Sequence, residues 1–239
     1  MIKNAAIIGS SGAIGGAFTR RLAALYPDAT VHAFSRTPLP SSNGAVSHQQ
    51  IDYANEASIE GAAAQAAAHA PLDMVIVATG MLHNEDIKPE KSLRDVSADK
   101  LQHLFAVNAV VPALVAKHFL PKLTREQRST CAILSAHAGS ITDNDIGGWY
   151  AYRASKTALN MLIKNAAIEI GRRNKQAVIV GLHPGTVDSY LSEPFKHSLP
   201  ADKLFTPAFA VEQMLSVLDG LTPQQSGRFF EWDGREMAP

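Results

Sequence analysis

The chain has almost no cysteine. Cys131 is the single one in 239 residues, so no internal disulfide can form. It sits in an apolar run and reads as a small core residue rather than a nucleophile. Neither sign of charge is in excess, with 22 Lys and Arg against 22 Asp and Glu. Nothing therefore favours a nucleic acid or an anionic membrane as partner. The histidines are scattered, without a metal-ligand spacing such as HExxH, and no metal site is expected. No apolar run reaches the roughly 20 residues needed to span a bilayer. The opening "MIKNAAIIGSSG" has an apolar stretch too short, and too broken by glycine, to read as a signal peptide or anchor. The expected compartment is the cytoplasm. There is no internal repeat, which argues against a solenoid.

What the chain does contain is alternation. Short apolar runs at 4–9, 29–35, 73–80, 130–135, 177–185 and 227–234 read as strands, and 14–26, 56–69, 98–119, 149–173 and 207–220 read as helices. The middle strands are apolar at nearly every position, as strands covered on both faces are. The expected fold is α/β: a Rossmann-type doubly wound parallel sheet flanked by helices on both faces, in a single domain over 1–239. The stretch "TPLPSSNGA" (37–45) reads as a flexible loop.

The first strand runs straight into "GSSGAIGG", which opens the first helix. Gly9, Gly12 and Gly15 recur every third residue. A pyrophosphate turn needs residues without Cβ, one to turn, one to admit the phosphates and one to let helix and strand pack closely. The helix N-terminus then offers free N–H groups to the anion. Gly9, Ser10, Ser11, Gly12, Ala13, Ile14 and Gly15 are thus the expected dinucleotide contacts. The second strand ends in "HAFSRT", with no carboxylate to hold a ribose 2′-hydroxyl. Ser35 and Arg36 stand there instead. The arginine fork suits a 2′-phosphate, so NADP(H) is expected over NAD(H).

"WYAYRASK" (149–156) places Tyr152 four residues before Lys156, on one helix face. Tyr150 has no cation one turn above it. A phenol titrates near 10, and one cation at about 4 Å in an effective dielectric near 20 supplies about 4 kcal/mol. That matches the shift a phenol needs to act near neutral pH. Tyr152 with Lys156 therefore reads as a general acid/base with its activator.

Together these segments resemble the short-chain dehydrogenase/reductase family along nearly the whole chain. The resemblance rests on "GSSGAIG", "VNA" (107–109), "YRASK" (152–156), "HPGTVDS" (183–189) and "GRFFEWDG" (227–234). It is nearest to the C-factor-like and sniffer-like carbonyl reductase branch. The resemblance implies that Tyr152 is the acid/base, that Lys156 also holds the nicotinamide ribose, and that Tyr150 is a packing or pocket residue. It implies that Asn108 takes part in a proton relay to the lysine and that Asp52 bonds the adenine amino group. Gly80, Pro184, Gly185, Thr186, Val187 and Ser189 would line the nicotinamide half.

Three departures stand out. The glycine spacing is G-x-x-G-x-x-G rather than the common short form. "VATG" (77–80) replaces Asn-Ala-Gly, so Thr79 or Ala78 must secure that strand end. The family's substrate-orienting serine is the second of a Ser-Ser pair, and here "LSAHAGS" puts Ser135 first and Ala136 second. A one-residue slip at the strand end would aim Ser135 at the pocket, and Ser135 is the expected catalytic hydroxyl, with Ser140 or His137 as alternatives. The residues of "TDNDIGG", extra between Ser135 and Tyr152, would loop out.

The expected function is NADP(H)-dependent hydride transfer between nicotinamide and a carbonyl or alcohol substrate, EC 1.1.1-like. The alternative is an NAD(P)-binding signalling or sensor protein with little turnover. Loops around 81–97, 138–149 and 188–206 would build the substrate pocket, and "LSEPFKHSLPADKLF" (191–205) reads as a lid or a plain surface loop. By resemblance, the chain is expected to form a homodimer or homotetramer through helices 98–119 and 149–173.

Overall fold

The computed structural model describes residues 1–37, 45–198, 200 and 203–238. The 37–45 loop lies mostly outside the described residues, as does Leu199 of the 191–205 segment. Seven parallel strands form one sheet in the order β3-β2-β1-β4-β5-β6-β9. They are β1 (Asn4–Ile8), β2 (Thr30–Ser35), β3 (Val46–Gln50), β4 (Met74–Val77), β5 (Ser129–Leu134), β6 (Ala177–His183) and β9 (Phe229–Glu231). The apolar runs at β1, β4 and β5 are buried at every residue, because helices cover both faces.

The helices are α1 (Ala13–Leu25), α2 (Glu56–Ala66), α3 (Ala98–Phe105), α4 (Val111–Phe119), α5 (Tyr150–Arg173) and α6 (Pro207–Gly220). The core divides by face. Ile8, Val75, Ile133 and Ile179 look toward α2, α4 and α5. Ile7, Ile76, Leu134 and Val180 look toward α1 and α6. A short parallel pair, β7 (Thr186–Val187) with β8 (Leu204–Phe205), lies outside the main sheet.

The six expected strands are present, most of them shorter than the expected run, while β5 begins one residue earlier, at Ser129. The seventh strand, β3, matches none of the apolar runs. Its sequence, VSHQQ, is polar and only partly buried, so it carries no apolar signal. The helix expected over 98–119 is interrupted by a π-turn at Ala106–Val110. With the flanking turns it makes one helical rod, Ala98–Lys122, apolar and long enough to cross a bilayer by length and composition. The expectation that no segment reaches that length is corrected here. Interspersed polar residues hid the length, and the rod's Val115 and Phe119 are core residues against the sheet.

Candidate active site at the carboxyl ends of the strands

β1 and β4 are neighbours, and the chain leaves them toward opposite sides of the sheet. A crevice opens where strand order reverses, which is where open α/β sheets bind ligands. On one side lies the glycine turn. Gly9 has φ +94°, a conformation costly for other residues, and a Cβ there would stand 2.9 Å from the Ala78 backbone. A Cβ on Gly15 would lie 2.2 Å from the Gly9 carbonyl. Both positions therefore require glycine. Gly12 caps α1 with extended backbone and no side-chain cap, and the first turn holds no acid. Its N–H groups are left to an anion.

The turn is held from outside by β2. The N–H groups of Gly9 and Ser10 both donate to the Phe34 carbonyl, at 2.9 and 3.0 Å. Ser11 is exposed, while Ser10 is buried with no partner for its Oγ. Ala13 and Ile14 begin α1. Ser35 is buried and its hydroxyl donates to the Thr37 carbonyl, 2.7 Å; Arg36 is exposed. Asp52 is exposed and its Oδ1 accepts from the Ala54 N–H, closing a turn after β3. Tyr53, not singled out by motif, is partly buried here, with its hydroxyl out of solvent. Burial pushes it up to about 12, opposed by the Gly9 backbone and then by Arg36.

On the other side, Tyr152 and Lys156 project from α5 into the crevice. Both are buried. The Lys156 ammonium lies 5.9 Å from the centre of the Tyr152 ring and donates to the Leu134 carbonyl, 3.0 Å. Gly80 lies directly above it. A Cβ there would stand 3.5 Å from Lys156 Nζ and 3.7 Å from Asn108 Oδ1. Thr79 Oγ1 is buried without a partner. The β4 end is secured by the Ala78 backbone, whose N–H donates to Ile8, 2.8 Å. Tyr150 faces away from the pair and is partly exposed.

The electrostatics differ from expectation. Burial raises the Tyr152 phenol above its ordinary value, and burial lowers Lys156 to about 8. Lysine does not acidify the phenol in the chain alone. Desolvation favours the neutral form of each group, and the ammonium is turned to a backbone carbonyl.

Asn108 occupies the π-turn, fully buried. Its Oδ1 accepts from Met81 N at 2.8 Å, and its Nδ2 donates to Met81 O at 2.8 Å and Ser155 Oγ at 3.0 Å. Ser155 in turn donates to the Tyr152 carbonyl, 2.8 Å. Asn108 thus ties the loop after β4 to the α5 turn that carries Tyr152. π-turns of this kind concentrate at functional sites.

The slip that would bring Ser135 to the phenol does not occur. Ser135 Oγ donates to Asn160 Oδ1, 2.6 Å, and Asn160 Nδ2 donates to the Gly139 carbonyl, 3.3 Å. Just past the end of β5, Ser135 faces Asn160 of α5, whereas Ala136 packs with Tyr152, Leu82 and Leu104. Ser140 is buried and its Oγ accepts from Asp143 N. His137 is half exposed, with Nδ1 3.2 Å from Glu231 Oε1. The extra residues do loop out, with Ile146 exposed. Asn160 was missed, although it lies four residues from Lys156 on the same helix face.

Pro184 and Gly185 follow β6, and Thr186 and Val187 form β7. Ser189 Oγ donates to the Val187 carbonyl, 3.2 Å. The segment Tyr190–Ser198 forms a 3-10 helix over the crevice mouth.

Doubly wound topology, a glycine-built anion cradle and a Tyr–Lys pair facing it across the switch point define a dinucleotide-dependent oxidoreductase of the NAD(P) class. The family model for short chain dehydrogenases matches residues 3–199, and the chain belongs to that family. The C-signal protein of Myxococcus xanthus is 37% identical over 146 residues, 61% of this chain and 82% of the relative. Among solved structures, the NADPH-bound carbonyl reductase from chicken fatty liver has a TM-score of 0.81 and 25% identity, covering 100% of this chain and 99% of that one. The carbonyl reductase Sniffer of D. melanogaster has a TM-score of 0.84 at 21% identity, with both chains covered in full.

Proposed function

We propose that this protein reduces a carbonyl compound with NADPH, or runs the reverse oxidation, with Tyr152 as the acid/base. The observation that carries this is the convergence on one crevice of Tyr152, the buried Lys156 and the bare Gly80. The glycine turn fits the dinucleotide because the Gly9 and Gly15 cradle would be closed by a Cβ, and the α1 N-terminus has no acid of its own. When bound, the nicotinamide would supply or accept the hydride. Arg36, exposed at the end of β2, would meet a 2′-phosphate, and the chicken-liver structure's NADPH favours the same choice.

Tyr152 keeps its proton at neutral pH, since burial raises it. An alkoxide forming beside it is a stronger base than a phenolate, so the proton moves downhill to substrate oxygen. The tyrosinate left behind is stabilised by the Lys156 charge in a site where desolvation strengthens that attraction. Asn108 and Ser155 hold the Tyr152 turn in place. With Ala136 at the usual serine position, the substrate oxygen has no second hydroxyl there. The substrate would be a small molecule in a cytoplasmic protein. Exposed Met161, Leu162 and Ile168 on α5 support a homodimer through α4 and α5.

A second reading is a cofactor-binding signal or sensor protein with little turnover. The C-signal relative and Ala136 both favour it. NADPH oxidation followed across aldehydes, ketones and quinones separates the two. Turnover that disappears in Tyr152→Phe while NADPH still binds supports the reductase; NADPH binding without turnover across the panel supports the sensor.

A further inference from the structure

The wall of the crevice opposite the glycine turn is aromatic and is held in an unusual way. Trp149 immediately precedes α5. It is the one non-glycine with positive φ among the described residues, at +50°, a conformation that is costly for such a residue. Strain of this kind persists only where the surroundings fix it. Here the fixing group is Glu90, in the loop after β4. Its carbonyl accepts from the Trp149 N–H, 2.6 Å, and its buried carboxylate accepts from the Ala151 N–H, 3.3 Å. α5 has no side-chain cap and no acid in its own first turn. Glu90 therefore supplies from a distant segment the negative charge that a helix N-terminus favours.

The consequence is the position of the indole. Its ring stands edge-on to Tyr152 at 6.1 Å and tilted against Phe195 of the 3-10 segment at 4.9 Å. Met81, Leu82, Ala136, Leu191 and Ala138 complete an apolar enclosure around the phenol. We propose that Trp149, held in its left-handed conformation by Glu90, is the specificity-determining wall of the substrate pocket and selects uncharged carbonyl compounds bearing a planar ring. This deepens the hydride-transfer reading and rests on it for the word substrate. Offset or edge-to-face ring packing adds to area burial for such compounds, and a straight aliphatic chain would not gain it.

The test compares benzaldehyde with propanal as probes, using NADPH, in the wild type, Trp149→Ala, Glu90→Gln and Glu90→Ala. The expected result for Trp149→Ala is a fall in kcat/KM for benzaldehyde of at least tenfold, carried by KM, with propanal changed less than threefold. Glu90→Gln keeps an acceptor and should retain most of the benzaldehyde preference; Glu90→Ala should lose it in the same direction as Trp149→Ala. Equal losses on both probes, or an unchanged preference, would overturn the proposal. A binding arm keeps the outcome separate from the reductase reading. In a Trp232→Phe background, Trp149 is the single tryptophan, and acetophenone should quench its fluorescence saturably with NADPH present. Saturable quenching without turnover of aldehydes, ketones or quinones refutes hydride transfer but upholds the pocket. Absence of saturable quenching refutes the pocket.

Discussion

The two ends of the crevice are built from different materials. The nucleotide end is made of backbone: Gly9, Gly12, Gly15 and the N–H groups of α1. The end proposed for substrate is made of side chains from separate segments: Tyr152, Ala136, Trp149, Leu82 and Phe195. The backbone site admits no Cβ at Gly9 or Gly15, whereas a side-chain wall can be rebuilt one residue at a time. The departures that alter chemistry accordingly fall at the second end. Ala136 replaces a hydroxyl, while the altered glycine spacing still gives a closed turn on a helix N-terminus.

Substitutions at each end should separate binding from chemistry. The largest effect is expected for Tyr152→Phe, which removes the proposed proton donor. Turnover should fall by roughly 10³-fold, within the usual range for a lost general acid, with the NADPH dissociation constant unchanged within threefold by fluorescence titration. Gly15→Ala attacks the other end. Its new Cβ would overlap the Gly9 carbonyl, so NADPH binding should be lost by calorimetry, with a lowered melting temperature.

Arg36→Ala should be narrower. Losing one charge-assisted bond, worth about 1.5–3 kcal/mol, should raise the KM for NADPH by roughly 10- to 100-fold, while the KM for NADH changes little. Equal effects on both cofactors would remove Arg36 from the 2′-phosphate site. Ala136→Ser restores a hydroxyl on the Tyr152 side. It should raise kcat by about fivefold, the scale of one neutral hydrogen bond near 1 kcal/mol. No gain would mean that substrate oxygen does not lie beside residue 136.

The mildest effect is on pH. Burial lowers Lys156 to about 8. The charged lysine supports the tyrosinate, so kcat/KM for reduction should be level below pH 8 and decline above it as the ammonium loses its proton. Lys156→Arg, which stays charged, should flatten that decline. The same depressed value has a stability consequence of fixed sign. Between about pH 8 and the ordinary lysine value the unfolded chain binds more protons, so this group destabilises the fold below pH 8 and ceases to do so as pH rises.

The contrast between the ends also explains how much was legible in the sequence. Strand–glycine–helix order and the i,i+4 spacing of Tyr152 and Lys156 are local patterns, and the fold brings them together as expected. β3 escaped because an edge strand of polar residues has no apolar run to betray it. Ser135 was misjudged because one residue at a strand end decides which face a side chain takes, and only the β5–α5 packing shows that Ser135 faces Asn160. Glu90 could not be read at all, since its partners lie 59 and 61 positions away, at Trp149 and Ala151. The sign of the Tyr152 shift needed the depth of burial, which spacing does not report.

Deuterium transfer tests the central claim most directly. NADPH deuterated at nicotinamide C4, prepared as each of the two diastereomers, is incubated with the protein and an aromatic aldehyde, and the alcohol is analysed by mass spectrometry. One deuterium is expected on the carbinol carbon from one diastereomer alone, with no labelled alcohol above background from Tyr152→Phe. NADPH that binds tightly yet yields no labelled alcohol across aldehydes, ketones and quinones, or label transfer that survives Tyr152→Phe at the wild-type rate, would contradict that claim.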